Sequence, residues 1–275
     1  MKLREFLSAK LGNEISKETV LPSGFHLVGY VALLTLNSSA MIYEKQIGNA
    51  ILEFDNRVKS VAVRTGPTHG IERNPSYKVV AGTCNTITTH IENEIKFRVD
   101  PIQLTFSGGN RRERIELPNR VKPGEKVVDM FSCVGQFALH IAGKGNTIVT
   151  AIEINPIAYN YLVENIHLNG FEKRVLPILG DCRKVHPVHY ANRVIMGYLH
   201  ETIAYLPYAL DTLVEDGGAI HMHMSVPKKC VDSNVNRIRE ICKEHNFDSK
   251  VDVRKIKNYS PGIDHIVFDI EVMAE

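Results

Sequence analysis

The stretch EKVVDMFSCVGQFALHIAGKG, residues 125–145, contains the pattern that decides the fold. Its β-branched opening predicts a short buried strand that ends at Asp129, and the segment that follows predicts a helix closed by glycine. In open α/β sheets, ligands bind where such a strand turns into its helix, because small turn residues let the backbone approach the ligand. Gly135 is the single glycine of this turn, and Cys133 stands where a first glycine is expected. The stretch therefore predicts a ligand-binding turn with a weak glycine motif.

Strand–helix alternation continues downstream of this turn. Continuously apolar strands separated by helices predict a parallel sheet that is covered on both faces. The last segment differs, because two β-rich runs joined by Ser260-Pro261-Gly262 predict a β-hairpin. We therefore expect an α/β fold, a Rossmann-like sheet with a C-terminal β-hairpin. The further predicted strands are TIVTAIEIN (147–155), RVLPILGD (174–181), RVIMGY (193–198) and AIHMHMSV (219–226).

The first hundred residues predict a separate, small α+β domain. Leu27–Leu36 is rich in β-formers, and Tyr43–Phe54 has the spacing of an amphipathic helix. Val58–Gly66 predicts a strand that ends in a Gly-Pro turn, and Asn85–Asp100 alternates as a hairpin does. We place the domain boundary at Asp100-Pro101, which gives a small, tRNA-associated domain over 1–100 and a Rossmann-like, S-adenosylmethionine-binding catalytic domain over 101–275.

Composition and charge describe an ordinary globular chain. Lys and Arg number 33 against 31 Asp and Glu, so the net charge is only +2, which is not typical of a protein that coats nucleic acid but is compatible with a local basic face. Five dispersed cysteines favour reduced thiols in a cytosol over a disulfide framework. The N-terminus lacks the apolar block of a signal peptide, and the longest apolar run is about half of the ~20 residues that a membrane span needs. We expect a cytoplasmic monomer without membrane contact.

Acidic residues end three successive predicted strands. Glu153 follows the glycine turn by about 20 residues, the position from which a carboxylate binds a ribose diol. Asp181 with the backbone amide of Cys182 could hold an adenine. Taken singly, Glu153 could be a surface carboxylate and Asp181 a turn residue. With Asp129 they favour S-adenosylmethionine over a dinucleotide, because no glycine-rich loop awaits a pyrophosphate. The predicted cofactor residues at these strand ends are Asp129, Phe131, Glu153, Ile154, Asp181 and Cys182.

An arginine-rich segment, FSGGNRRERIEL (106–117), precedes the first strand. Its arginines could bind phosphate or carboxylate, or could form a solvated helix face. The free amides of the helix entry at Ser107 would favour an anion beside the cofactor. We predict that Ser107 and Arg114 face the cofactor, and that Asn110, Arg111 and Arg112 face a nucleic-acid substrate.

Two histidines, His221 and His223, lie two residues apart and share one face of a predicted strand. No third ligand with zinc-like spacing accompanies them. We interpret them as ordinary strand histidines and expect no metal.

These motifs together resemble a known family. The segments FSGGNRRER, VVDMFSCVGQFALHIA, AIEINPIAYNYLVENIHLN, RVIMGYLHETIAYLPYAL and IHMHMSVP are similar to those of archaeal wybutosine-synthesising tRNA aminocarboxypropyltransferases. Their close relatives are the tRNA guanosine-37 N1-methyltransferases. The methyltransferase pattern has Arg at the position of Gly109 and Asn-(Leu/Pro)-Pro at Gly197-Tyr198-Leu199. This chain lacks both, and it matches the aminocarboxypropyl branch in Gly109-Asn110 and Met196-Gly197-Tyr198. Cys133 departs from the usual glycine of the family.

The resemblance implies a class I S-adenosylmethionine-dependent fold and a particular reaction. The 3-amino-3-carboxypropyl group of S-adenosylmethionine would move to C7 of 4-demethylwyosine at position 37 of tRNA-Phe, and methylthioadenosine would leave. Gly197 would then border the cofactor and leave room for the tricyclic base, and Tyr198 would stack on that base or simply pack. No catalytic base is identified.

Three alternatives remain open. A tRNA guanosine-37 N1-methyltransferase shares the fold and the donor. A non-catalytic RNA-binding adaptor is supported only by Cys133, which departs from the glycine expected in the cofactor turn. An NAD-dependent oxidoreductase is disfavoured by the missing glycine motif and the terminal hairpin.

Overall fold

A computed structural model describes residues 1–275 and divides into two compact units, Met1–Gly108 and Gly109–Glu275. The division falls after Gly108 rather than after Asp100. The reason is local to the first unit: the Thr105 hydroxyl donates to the carbonyl of Arg73 at 2.8 Å, and the ring of Phe106 packs edge-on against Phe97. No helix in the structure is both long and apolar enough to cross a membrane.

The first unit contains a four-stranded sheet, in the order β1-β2-β3-β4, and a separate β5-β6 hairpin. Strands β2 and β3 are parallel, with α2 in the connection between them. The predicted Gly-Pro turn is wrong, because β3 continues through Gly66-Pro67 with bulged pairing to the following strand. That strand, β4, was not predicted. The elements are α1 (Leu3–Leu11), β1 (His26–Val28), β2 (Val31–Leu34), α2 (Glu44–Phe54), β3 (Ser60–His69), β4 (Asn74–Gly82), β5 (Thr88–Glu92) and β6 (Ile95–Val99).

The second unit is a seven-stranded sheet in the order β12-β13-β11-β10-β7-β8-β9. Strands β7 to β11 are parallel, and β13 runs antiparallel between β11 and β12. The elements are α3 (Arg111–Glu116), β7 (Lys126–Asp129), α4 (Ala138–Gly143), β8 (Ile148–Glu153), α5 (Pro156–Leu168), β9 (Val175–Leu179), α6 (Cys182–Val185), β10 (Arg193–Leu199), α7 (Leu206–Thr212), β11 (Gly217–Pro227), α8 (Val231–Glu244), β12 (Phe247–Ser260) and β13 (Ile263–Ala274). The Rossmann-like sheet and its terminal hairpin are confirmed.

Strand order places the ligand-binding edge. β7 lies between β8 and β10, so the connections on either side of β7 leave in opposite directions and open a crevice at its carboxyl end. Local signals hold the elements around this crevice. The Asn155 side chain accepts from the amides of Ile157 and Ala158 and caps α5, with Pro156 at the first helical position.

Candidate functional site

The turn after β7 has a backbone that suits glycine. Gly135 has φ +93°, and a Cβ there would come within 2.8 Å of Leu139 and 3.0 Å of Leu162. Cys133 also has a positive φ, +49°, in the left-handed region where a side chain is strained. A glycine at this position would avoid the strain that Cys133 carries.

The Glu153 side chain fastens this turn to the end of β8. Its two carboxylate oxygens accept separately, Oε2 from the amide of Cys133 at 2.6 Å and Oε1 from the amide of Asn155 at 2.8 Å. The side chain is buried. These bonds stabilise the left-handed turn and fix the carboxylate at the carboxyl edge of the sheet, which is where a ribose diol would bind.

Asp129 is a buried acid with incomplete hydrogen bonding. The residue has no exposed surface, its Oδ1 accepts from the amide of Phe131 at 3.3 Å, and its Oδ2 has no partner. Burial raises the pKa of this carboxyl to about 7, and the charge of Glu153 adds to the effect. This unpartnered oxygen lies in the turn where the sequence predicts a ligand. We call Asp129, Cys133 and Glu153 the ligand edge.

Aromatic rings form a wall next to the ligand edge. Phe131 is stacked on Tyr198 with ring centroids 5.1 Å apart, and Tyr205 meets Phe131 edge-on at the same distance. Tyr198 therefore already packs one of its faces. Tyr205 was missed, although its place in the first turns after β10, in the segment TIAYLPYAL, was a signal that could have suggested it.

Asp181 is engaged more fully than predicted. Its carboxylate caps α6 through the amide of Arg183 at 3.0 Å and also binds the guanidinium of Arg183, whose Nη2 donates to Oδ2 at 2.6 Å. This hydrogen bond from the Arg183 side chain lowers the pKa of Asp181. The guanidinium lies over the Tyr205 ring at 5.4 Å. Cys182 is buried beside it, and burial raises the pKa of that thiol to about 12.

The three arginines of this segment differ in exposure. Arg114 is buried, and its Nη1 lies 3.4 Å from Oε1 of Gln136 in the cofactor turn. Arg111 and Arg112 are exposed, and Arg112 pairs with Glu116 at 2.7 Å along α3. The roles of these side chains stay predictions.

The remaining predicted site residues differ in their solvent exposure. Asn110 is half-buried, with a buried and unpartnered Oδ1, and Ile154 is half-buried next to Glu153. Gly197 lies in a bulge where the β10–β11 register shifts, and a Cβ on it would meet the Phe137 ring at 3.3 Å. Ser107 belongs to the first unit, where it is half-buried, and its role remains a prediction.

A buried charge network, not foreseen from the sequence, links α3 to the terminal hairpin. Arg254 on β12 donates to both oxygens of Glu113, at 2.9 and 2.7 Å, and also pairs with Asp269 on β13. His221 joins Asp269 at 2.5 Å and Arg193 at 2.6 Å. Burial alone would raise the pKa of Asp269, but the bonds from His221 and Arg254 hold it below its ordinary value. We call these five residues the hairpin charge network.

The histidines thus have structural partners. His221 belongs to the hairpin charge network, and Nδ1 of His223 lies 3.0 Å from Nε2 of His265. Burial lowers the pKa of both His223 and His265 to about 3, so both rings are neutral. No cluster of three or more His, Cys, Asp or Glu side chains could hold a metal ion.

Comparisons with known proteins agree over nearly the whole chain. Residues 88–253 match the TRM5/TYW2 methyltransferase domain, and residues 3–86 match the TYW2 N-terminal domain. A tRNA(Phe) (4-demethylwyosine(37)-C(7)) aminocarboxypropyltransferase from Pyrococcus horikoshii is 38% identical, covering 98% of this chain and 96% of its own. A tRNA (guanine(37)-N(1))-methyltransferase Trm5b from Pyrococcus abyssi is 36% identical over 92% of this chain and 76% of its own. The crystal structure of P. horikoshii TYW2 in complex with MeSAdo superposes with a TM-score of 0.85 at 33% identity, covering 99% of this chain and 100% of that one.

Proposed function

This chain belongs to the TRM5/TYW2 methyltransferase family, and from that premise we propose that it is a tRNA aminocarboxypropyltransferase. It transfers the 3-amino-3-carboxypropyl group of S-adenosylmethionine to C7 of 4-demethylwyosine at position 37 of tRNA-Phe. A carbon–carbon bond forms between C7 and the γ-carbon of the donor. The γ-carbon–sulfur bond breaks with its electron pair going to sulfur, the base loses the C7 proton, and methylthioadenosine leaves.

The observation that carries this proposal is the pair of glycines at the acceptor side, Gly109 and Gly197. At these positions the resemblance gives the methyltransferases an arginine and an asparagine. The aminocarboxypropyltransferase from P. horikoshii also matches this chain end to end, whereas the Trm5b relative extends beyond the match. The methyltransferase remains the second candidate, because its identity to this chain is nearly as high.

The residues of the chain bind and orient the donor. S-adenosylmethionine, when bound, supplies a γ-carbon that is electrophilic because its neighbour is a sulfonium. The Glu153 carboxylate, which two backbone amides already orient, accepts hydrogen bonds from the ribose hydroxyls. We assign Asp129 to the donor side through its unpartnered oxygen, and Asp181 exchanges part of its Arg183 contact for the adenine amine. Phe131, Ile154, Cys182 and Gly197 line the same space.

The acceptor side is assigned to exposed and half-buried groups of the second unit. We assign Arg111 and Arg112 to tRNA phosphates, a role that their exposure at the start of α3 supports. We assign Asn110, whose buried Oδ1 has no partner, and Tyr198, whose ring packs against Phe131 and Tyr205, to the acceptor side. The protein is further proposed to act as a cytoplasmic monomer.

Double labelling of the donor tests the proposal. The protein is incubated with tRNA-Phe carrying 4-demethylwyosine and with S-adenosylmethionine labelled either in the methyl or in the carboxyl carbon. We expect the carboxyl label, and not the methyl label, in the tRNA, with methylthioadenosine as the small product. Transcribed tRNA with guanosine at position 37 is the control acceptor and should gain neither label. Methyl label on that guanosine would establish the methyltransferase instead, and no label in either tRNA would favour the adaptor.

A further inference from the structure

A histidine follows the strand end that the proposed function assigns to the acceptor. His200 comes two residues after Tyr198, where the chain leaves β10 at the carboxyl edge of the sheet. Its neighbours Leu199 and Glu201 both have a positive φ, +81° and +50°. Residues other than glycine rarely adopt this conformation, and where they do the surrounding structure must hold them, most often at functional sites. The strained backbone therefore presents His200 in a defined position.

Two hydroxyl groups hold the His200 ring. Its Nδ1 lies 3.4 Å from the hydroxyl of Ser225 on β11, and its Nε2 lies 3.2 Å from the hydroxyl of Tyr259 on β12. The single hydroxyl proton of Ser225 is donated to the carbonyl of Leu199 at 3.2 Å. Nδ1 therefore donates to the Ser225 oxygen, and Nε2, which carries no proton in the neutral ring, accepts from Tyr259. The basic nitrogen of His200 thus faces a phenol.

Tyr259 connects this histidine to the surface on the acceptor side. The tyrosine is 42% exposed, whereas His200 is half-buried. The same strand also reaches Gly109, because a Cβ built there would overlap the ammonium nitrogen of Lys257. The end of β12 therefore lies beside both places at which this chain lacks the residues of the methyltransferase pattern, Gly109 and the end of β10.

We propose that Tyr259 and His200 act as a proton relay that removes the C7 proton of the acceptor base. The inference rests on the proposed function, whose reaction releases this proton without an identified base. As the carbon–carbon bond forms, the Tyr259 oxygen takes the C7 proton, and its own proton passes to Nε2 of His200. The electron pair of the C7–H bond returns to the ring of the base. The positive charge that the donor sulfur loses ends on the His200 imidazolium, and Ser225 keeps the ring oriented by accepting from Nδ1.

Substitution of the two relay residues tests the proposal. Tyr259→Phe removes one oxygen from a partly exposed ring, and His200→Ala removes the base. Each should lower kcat by about 100-fold, a typical contribution of general acid–base catalysis, and should keep KM for tRNA and for S-adenosylmethionine within about threefold of the parent values. His167→Ala, on an exposed histidine of α5, is the matched control and should leave both constants unchanged.

Two further measurements separate a base from a structural role. With an acceptor that carries deuterium at C7, both variants should show a larger isotope effect on kcat than the parent, because proton removal then limits the rate. Added imidazole should restore part of the activity of His200→Ala and none of the activity of Tyr259→Phe. The double variant should be about as slow as either single variant, because the two side chains act as one unit.

The outcomes against the relay are distinct from those against the proposed function. Unchanged kcat in either variant would overturn the relay, and so would a rise confined to KM for tRNA, because the pair would then bind RNA. A lower kcat without a larger isotope effect and without a response to imidazole would also overturn it and leave a structural role. Carboxyl label transferred equally fast by parent and variants would keep the function alone. Methyl label placed on guanosine-37 by the parent would overturn both.

Discussion

The second unit buries acids in two regions and neutralises them in opposite ways. In the hairpin charge network, arginines and a histidine hold Glu113 and Asp269. At the ligand edge, backbone amides donate to Asp129 and Glu153, and one oxygen of Asp129 has no partner. The pKa values follow this difference, lowered for Asp269 and raised for Asp129. The network compensates its own charge and stabilises the fold, whereas Asp129 at the ligand edge holds its proton up to about pH 7 and has one oxygen without a partner.

The largest effect is expected from breaking the hairpin charge network. Arg254→Met removes a cation shared by the buried Glu113 and the half-buried Asp269, which should lower the free energy of unfolding by about 3–5 kcal/mol. Denaturant titration measures the change. Arg237→Met, which removes an exposed pair with Glu240, is the control and should change stability by less than about 1 kcal/mol. Equal effects of the two substitutions would mean that the network does not carry stability.

Substitution of Asp129 should have the opposite effect and raise the free energy of unfolding. The unfolded chain releases this proton near pH 4 and the folded protein near pH 7, so raising the pH between them lowers the stability of the parent protein. Asp129→Asn carries no charge and should therefore raise the free energy of unfolding at pH 8 by about 2–4 kcal/mol, and hardly at all at pH 4. Urea titrations at both values test this.

Asp129→Asn also tests whether the charge of this carboxylate contributes to ligand binding. The parent should bind S-adenosylmethionine more tightly at pH 8 than at pH 6, because the carboxylate is then ionised, and Asp129→Asn should lose that difference. A stability gain that is identical at pH 4 and pH 8 would remove charge as its cause.

Substitution of Glu153 should lower both ligand affinity and stability, by an intermediate amount. Glu153→Gln replaces one acceptor by an amide group that cannot accept from a backbone N–H, so the turn loses one of its two bonds. Affinity for both S-adenosylmethionine and methylthioadenosine should fall by about 1.5–3 kcal/mol, since both contain the ribose. Unfolding stability should fall by about 1 kcal/mol. Unchanged affinity by calorimetry would take Glu153 out of the ribose site.

Much of this arrangement can be predicted from the sequence, and the rest cannot, for physical reasons. The apolar strands and the glycine turn predict the sheet, and the strand ends predict Asp129, Glu153 and Asp181. The hairpin charge network could not be predicted, because Glu113 and Arg254 are far apart in the chain and meet only through strand order. The sequence also did not predict the bond between Asp181 and Arg183. An aspartate at this position suits a helix cap and a ligand contact equally well, so its residue type does not distinguish the two roles.

The smallest effect is expected at Cys133. Cys133→Gly relieves a left-handed residue, but glycine also gains freedom in the unfolded chain, so stability should change by less than about 1 kcal/mol. The amide that donates to Glu153 is kept, so donor affinity should stay within about twofold. Burial raises the pKa of the Cys133 thiol to about 12, so iodoacetamide at pH 8 should modify the exposed Cys84 first, as read by mass spectrometry. Faster alkylation of Cys133 would contradict this.

The position of β13 has a consequence for synthesis on the ribosome. This strand follows every other strand of its sheet in the chain, yet it lies inside the sheet, between β11 and β12. Until it has left the exit tunnel, β11 presents an unpaired edge of eleven residues. The second unit therefore completes its sheet only after β13 is translated, and until then the edge of β11 can pair with another molecule.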